Sequence, residues 1–404
     1  MGSRFILIFS IAKLLTPAEV GSFGLMLATV SFSVLVIGAD YYTYAQRELL
    51  ARPIEEWSFV IQNQVKAQLL LYCVLIPAQL AIFIFGYIDW QYAIWFFALL
   101  LVEHIAQEIN RMLVIMHKQF MASWVLFVRM GSWVLFVIPL MVFFPEYQNI
   151  RTLYSAWLMG CFAAIVMGLF AIKKAVPMWH WQPPDRIWMN KGFRVGGAFL
   201  LATICMKGLL TFDRYAVEAL GNPEMLGVYV FYIGIVMGVY SILDPAVFSF
   251  LYPKMLQNYQ MHRQDEYKKT FKELMWSTIV ISLFLAVFIW VITPYLIDWI
   301  DKPVYKEYIE SLGFLIIAGF LFAIGYIPHY ALYAMKADKW IMTAHITALL
   351  VFFAVVAVIR SENTGIQTVS IALVFAFSWM LIVKTASYLY NRQRTYLNKG
   401  LVKT

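Results

Sequence analysis

The chain has 404 residues, 62% hydrophobic and only 13% charged, with a mean hydropathy of +0.72. Soluble domains carry about a quarter charged residues, so this composition excludes the two or three soluble domains that length alone would suggest. A net charge of +8 would point to nucleic acid in a soluble protein; here its placement along the chain is the informative quantity, and no nucleic acid partner is expected.

Apolar runs near 20 residues recur from end to end, each long enough to cross a hydrocarbon core of roughly 30 Å. In chain order the runs predict helices at roughly 4–16, 20–46, 62–86, 91–116, 121–144, 152–172, 193–219, 224–252, 271–297, 309–335, 339–360 and 365–390. The expected fold class is therefore an all-α polytopic membrane protein with about twelve transmembrane helices. The start "MGSRFILIFSIAKLL" lacks a small-residue cleavage site and does not read as a signal peptide. Cys73, Cys161 and Cys205 sit in apolar runs without metal spacing, so neither a disulfide framework nor a metal site is expected.

Two sets of breaks alternate along the chain. One set, "TPAE", "GYID", "FPEYQN", "GNPE", "IDKP" and "SENTG", has turn chemistry and almost no basic residues beyond Lys302. The other includes "QRELLARPIEE", "KKAVPMWHWQPPDRIWMNKGFR" and the tail "YNRQRTYLNKGLVKT", and holds 19 of the 31 Lys and Arg. Short basic loops stay in the cytoplasm. Both termini and the central loop are thus expected on that side of a multi-pass protein. Trp179, Trp181 and Trp188 in the central loop read as an amphipathic interfacial segment.

The chain also repeats itself. "LLTPAEVGSFGLMLATV" and "LGNPEMLGVYVFYIGIV" share a Pro-x-x-x-Gly-x-aromatic frame, matching Pro17 to Pro223, Gly21 to Gly227 and Phe23 to Tyr229 at an offset of 206 residues. Each half holds six helices of the same sense, so the expected organisation is a parallel repeat. It places a six-helix lobe at 1–172, a cytoplasmic linker at 173–192, a second six-helix lobe at 193–390 and a cytoplasmic tail at 391–404. By this offset the first helix is about a dozen residues shorter than the seventh.

Charged residues inside these helices are the candidate functional groups, because a charge at mid-bilayer costs about 2.5–3.5 kcal/mol on insertion scales. On the seventh helix Thr203, Lys207, Thr211 and Arg214 form one stripe, opposite Leu200, Ile204, Leu209 and Val217. This predicts a helix lining an aqueous cavity. Asp213 and Arg214 point about 100° apart and are expected to find separate partners; the bland alternative is a clamp near the outer interface. On the fourth helix Glu103, His104, Gln107, Glu108, Asn110 and Arg111 share one arc, with Glu108 and Arg111 readable as an interfacial ion pair. The second helix carries Asp40 and Arg47 on one face. Arg129 in the fifth helix stands alone. Asp244-Pro245 predicts a kink in the eighth helix.

"TFDRYAVEALGNPEMLGVY" resembles the seventh-to-eighth helix segment of Wzx-type polysaccharide flippases, members of the multidrug/oligosaccharidyl-lipid/polysaccharide exporter superfamily. "AKLLTPAEVGSFGLMLATVSFSVLVIGADYYTYAQREL" is similar to the corresponding segment of the first repeat. The resemblance implies two six-helix lobes around a central cavity in a bacterial cytoplasmic (inner) membrane. It also implies transfer of undecaprenyl-pyrophosphate-linked oligosaccharide, such as an O-antigen unit of lipopolysaccharide, from the inner to the outer leaflet. A polysaccharide polymerase and a chain-length regulator would be its partners, besides membrane lipids. On this reading Lys207, Arg214, Arg129, Arg111, Arg47 and Arg4 supply positive charge for the pyrophosphate, while the two repeats give alternating access. No G-x-x-x-x-G-K-[ST] loop occurs, so coupling is expected to a gradient of H⁺ or Na⁺. Asp40, Glu103, Glu108, Asp213 and Asp244 are the candidate carboxylates. No catalytic residue or cofactor is expected. The alternatives are a drug or metabolite exporter or a lipid II flippase of the same superfamily, and, from another class, a membrane polymerase or glycosyltransferase. The last would be expected to show a large periplasmic loop or an acidic metal motif, and neither is visible.

Overall fold

The computed structural model describes residues 2–175, 182–361 and 364–401. All regular structure in these residues is helical. Among them, ten helical runs are long and apolar enough to cross a bilayer. They are α2 (Pro17–Gly38), α3 (Ile54–Ile84), α4 (Trp90–Ile115), α5 (Gln119–Phe143), α6 (Ile150–Lys174), α8 (Pro223–Gln260), α9 (Gln264–Ile300), α10 (Ile309–Ala334), α11 (Asp338–Ile359) and α12 (Gly365–Gln393). Two further helices complete the expected twelve. The short α1 (Gly2–Leu14) rises about 20 Å at 1.5 Å per residue. The long α7 (Arg186–Leu220) starts earlier than the sequence predicts, and helix continues beyond α12 to Leu401.

Internal packing divides the chain into two compact units. The first comprises Gly2–Ser10 with Phe23–Lys207; the second comprises Ile11–Ser22 with the chain from Gly208 onward.

In the second unit the repeated Pro-x-x-x-Gly frames pack against each other. Helix α2 opens with a capping box. The Thr16 backbone N–H and Oγ1 donate to Glu19 Oε2 at 3.0 and 2.9 Å, and the Glu19 N–H donates back to Thr16 Oγ1. Helix α8 opens with Asn222, whose Oδ1 accepts from the Met225 N–H at 2.8 Å, followed by Pro223 at the first helical position. These defined starts bring Gly21 and Gly227 face to face. A Cβ on Gly227 would lie 1.8 Å from the Pro17 carbonyl oxygen, and one on Gly21 would lie 2.9 Å from the Gly227 nitrogen. The motif glycines therefore serve close backbone approach.

The same end carries a reciprocal exchange of lysines. Lys13 Nζ donates to the Trp299 and Ile300 carbonyls at the end of α9, at 2.6 and 3.3 Å. Lys302 Nζ donates to the Ala12 carbonyl at 2.7 Å and to the Leu15 carbonyl, at and just past the end of α1. Each ammonium meets the negative end of the other helix. This gives Lys302, the basic residue within a set of breaks otherwise free of Lys and Arg, a structural task.

In the first unit, the single helix expected over 20–46 is broken. Helix α2 stops at Gly38, Ala39 and Asp40 both take φ of 48°, and a separate helix runs Tyr42–Leu50. Left-handed backbone costs roughly 1–2 kcal/mol per ordinary residue, so tertiary contacts must hold it. A Cβ on Gly196 of α7 would lie 2.6 Å from the Ala39 carbonyl oxygen. Tyr41 is buried beside Trp188 and Phe193, with ring centroids at 6.0 and 5.2 Å. Trp188 is thus a buried core residue of α7, not part of an interfacial loop, and its Nε1 donates to Glu48 at 3.1 Å. Trp179 and Trp181 lie outside the described residues.

Two more helices are irregular inside their spans. Helix α5 contains a π-turn at Val128–Ser132 and α8 one at Asp244–Phe248. The second begins at Asp244-Pro245, where the sequence predicts a kink, and follows a two-residue turn at 241–242. The repeat offset matches Asp244 to Gly38, so α2 and α8 lose regular geometry at equivalent places.

Candidate functional site

Three groups of buried polar residues stand out. The first joins α4, α5 and α6 in the first unit. Arg129, set within the π-turn of α5, donates from Nε and Nη2 to Glu103 Oε1 at 3.1 and 2.9 Å. Cys161 Sγ donates to Glu103 Oε2 at 2.8 Å. All three side chains are buried. Helical wheels place Glu103 and Arg129 on separate helices and show no partner for either, so the reading of Arg129 as isolated is corrected. Close approach of α1 supports the π-turn: a Cβ on Gly131 would lie 2.8 Å from Ser3 Oγ. π-turns are frequent at functional positions, and here one carries the arginine to its carboxylate.

The second group surrounds the break after α2. Glu108 Oε1 accepts from Arg111 Nη1 at 2.5 Å, and its Oε2 accepts from Gln64 Nε2 at 2.7 Å. The Arg111 guanidinium carbon sits 3.5 Å from the Tyr42 ring centroid, a cation–π contact. The Tyr72 hydroxyl and His104 Nδ1 are 2.5 Å apart. His104 Nε2 lies 3.9 Å from Glu108 Oε1, and a Cβ on Gly38 would fall 2.8 Å from that nitrogen. Buried Asp40 accepts from the Thr203 side chain of α7 and feels the Arg111 charge. The break therefore gathers Asp40, Glu108 and Arg111, three of the residues singled out in the sequence. Because Asp40 lies in the break and Arg47 in the helix that follows it, their seven-residue spacing does not set a common face; Arg47 is exposed.

The third group is at the end of α7 in the second unit. Asp213 is fully buried. Arg214 Nη1 donates to Asp213 Oδ1 at 3.0 Å and to the Leu210 carbonyl at 2.7 Å, and Tyr229 of α8 donates to Asp213 Oδ2 at 2.7 Å. The expectation that Asp213 and Arg214 find separate partners is half wrong. Their Cβ atoms diverge, yet the long arginine folds back along its own helix to reach the adjacent carboxylate. The neighbouring helix supplies a tyrosine as well.

The remaining candidates are dispersed. Lys207 is exposed near the middle of α7, Asp244 is exposed at its π-turn, and the Arg4 side chain lies outside the described residues. The α7 stripe is uneven: Thr203 and Arg214 are half-buried, Lys207 is exposed and Thr211 is buried. Three candidate cations, Arg111, Arg129 and Arg214, are held by carboxylates. Sequence reasoning missed Cys161, Tyr229, Gln64 and Tyr72 as partners. It also missed Lys384 of α12, a buried lysine whose signal, one basic residue inside an apolar run, was present in the sequence.

No protein-family model matches the chain, and no curated protein matches it by sequence. Solved structures match it over nearly its whole length. A MATE point mutant aligns with a TM-score of 0.63 at 15% identity, covering 99% of this chain and 96% of its own. An outward-facing multidrug resistance MATE family transporter of the MOP superfamily gives 0.59 at 15% identity, with coverages of 99% and 93%. A MOP superfamily transporter from Pyrococcus furiosus, described as having a binding pocket of reversed polarity suggesting a different function, gives 0.61 at 15% identity, with coverages of 96% and 90%. The fold is therefore that of MATE-like membrane transporters, in agreement with the helical class and helix number expected from the sequence.

Proposed function

We propose that this protein is a flippase. It carries undecaprenyl-pyrophosphate-linked oligosaccharide from the inner to the outer leaflet of a bacterial cytoplasmic membrane, by alternating access of the repeats at 1–172 and 193–390. Both termini lie on the cytoplasmic side in this reading, and an ion gradient supplies the energy. One observation carries it: Lys207 is exposed near the middle of α7, with apolar residues before and after it along the helix. An ammonium there is about 20 Å from Arg194 along the helix, too deep to snorkel with ease. It needs water or an anion rather than hydrocarbon. A pyrophosphate on a lipid tail supplies that anion, and the MATE-like fold over the whole chain supports a transport role.

Reconstitution in proteoliposomes with undecaprenyl-pyrophosphate-linked saccharide tests the reading. Translocation is expected, with Lys207→Met slowing it about tenfold, the loss of one charge-assisted contact of about 1.4 kcal/mol, and Lys207→Arg retaining most of it. Equal rates in wild type and Lys207→Met would remove the role of this residue. A second reading, export of a drug or metabolite, is favoured by the similarity to a multidrug resistance transporter. Efflux of an organic cation without movement of the lipid-linked saccharide would favour it over the first.

A further inference from the structure

The second unit holds a basic cluster made by α10, α11 and α12. Lys384 is only 4% exposed, and among the described residues it forms no hydrogen bond or ion pair. Helix α12 packs along both α10 and α11, and Lys384 and His345 are near enough for their charges to act on His329. The two imidazoles lie parallel, with ring centroids 6.1 Å apart and 12° between their planes. His329 Nδ1 is buried with no hydrogen-bond partner among the described residues. Tyr326 and Tyr330 flank His329, at 5.8 and 5.6 Å between centroids. Among these groups the acid within reach is Asp244 at the π-turn of α8, and its charge is felt at Tyr326 and Tyr330. From α10, Phe322 contributes a ring to Tyr326. Tyr388 lies one turn along α12, and Asp338 and Lys339 lie two turns away at the start of α11.

All three bases lie at similar depth. His329 is seven residues before Lys336, His345 seven after Asp338, and Lys384 eight before Arg392. At 1.5 Å per residue this is about 10–12 Å along each helix from those charged residues, on the side that carries the basic loops.

Three nitrogen bases side by side have a restricted chemistry. Hard cations such as Na⁺ prefer oxygen ligands, and any charge on the cluster repels them. Two positive charges in a dry site would repel each other without compensation, whereas one is tolerable. Such groups titrate as a unit, because a proton on one base disfavours a proton on its neighbours.

We propose that His329, His345 and Lys384 form a single proton-binding site in the second repeat, so that H⁺ is the ion taken up there. The inference rests on the reading of the protein as an ion-coupled transporter. It moves coupling away from Glu103 and Asp213, whose carboxylates are already occupied by Arg129 and by Arg214 with Tyr229.

The test is a pH titration of the full chain in lipid nanodiscs, with ¹⁵N-labelled histidine followed by NMR. The sequence has six histidines, and His104, in the first unit, serves as an internal check that variants fold. The His329 and His345 signals are expected to move together. Lys384→Met, which removes the competing base, should raise their midpoint by about one pH unit or more. Lys384→Arg, permanently charged, should lower it. Independent titration of the two histidines overturns the proposal, as does a midpoint indifferent to both Lys384 variants with His104 unchanged. The titration needs no substrate. A normal titration with no flipping would therefore sink the substrate reading and leave the proton site standing.

Discussion

The two units bury positive charge in opposite ways. In the first, Arg129 is set against Glu103 by two hydrogen bonds, with Cys161 completing the carboxylate. In the second, Lys384 is buried beside histidines, and no acid among the described residues pairs with it. The first arrangement holds its charge permanently and links three helices. The second has no such counter-charge, and burial favours the neutral lysine. An isolated buried ion cannot be stable, so burial alone does not distinguish a clamp from a site that exchanges protons. The presence or absence of a counter-charge does.

Breaking the clamp should produce the largest effect. Glu103→Gln leaves Arg129 uncompensated and is expected to cost about 3–5 kcal/mol, read as a lower unfolding midpoint in detergent. The double replacement Glu103→Leu with Arg129→Leu should recover most of that loss. A neutral Glu103→Gln would show that water already reaches the arginine, and the contrast between the units would collapse.

The glycine contact between the repeated frames comes next. Gly227→Ala forces a methyl group into the Pro17 carbonyl and should destabilise by about 1–3 kcal/mol or more. A Cβ on Gly197 would meet nothing within 4 Å, so Gly197→Ala should be close to neutral under the same measurement. Equal effects at the two glycines would mean that the repeated frame does not carry the packing assigned to it.

Tyr229→Phe removes the hydrogen bond to Asp213 and keeps the ring. Hydrogen bonds to charged groups are worth about 1.5–3 kcal/mol, so a loss in that range is expected in the same unfolding measurement. No change would mean that Arg214 alone satisfies the carboxylate.

The lysine exchange at the helix ends is the smallest effect, about 0.3–1 kcal/mol for Lys302→Met at the α1 terminus. It also has a pH signature. Burial, and then the like charge of Lys13, lower the pKa of Lys302 from its ordinary 10.5, with Glu19 opposing. The penalty for keeping it charged is present below its folded pKa and is relieved as pH rises towards 10.5. Wild-type stability should therefore gain slightly with pH in that window, and Lys302→Met should flatten the gain.

Much of the architecture was legible in the sequence because its causes are local. Apolar run length and the alternation of basic loops give twelve helices, and the Pro-x-x-x-Gly frame marks two segments that pack together. The break after Gly38 was not read from the sequence: Gly38 and Asp40 are turn formers but sit in an otherwise helical pattern, and the left-handed backbone of Ala39 and Asp40 packs against Gly196 and Tyr41. Helical wheels found the polar faces of α4 and α7 but not their pairings. A wheel gives the direction of Cβ, whereas Arg129 reaches another helix and Arg214 folds back along its own. Lys384 went unnoticed for the opposite reason. A lone lysine in an apolar run belongs to no stripe, and its neighbours come from two other helices.

The central claim is that α7 presents a cation to water within the membrane. Single cysteines at positions 207, 209 and 217, in a protein freed of its three native cysteines, test it directly with a membrane-impermeant thiol reagent. Position 207 is exposed whereas Leu209 and Val217 are buried. The account predicts rapid labelling at 207 and protection at 209 and 217. Protection at all three would mean that Lys207 meets neither water nor an aqueous substrate path, and would contradict the transport role assigned to this helix.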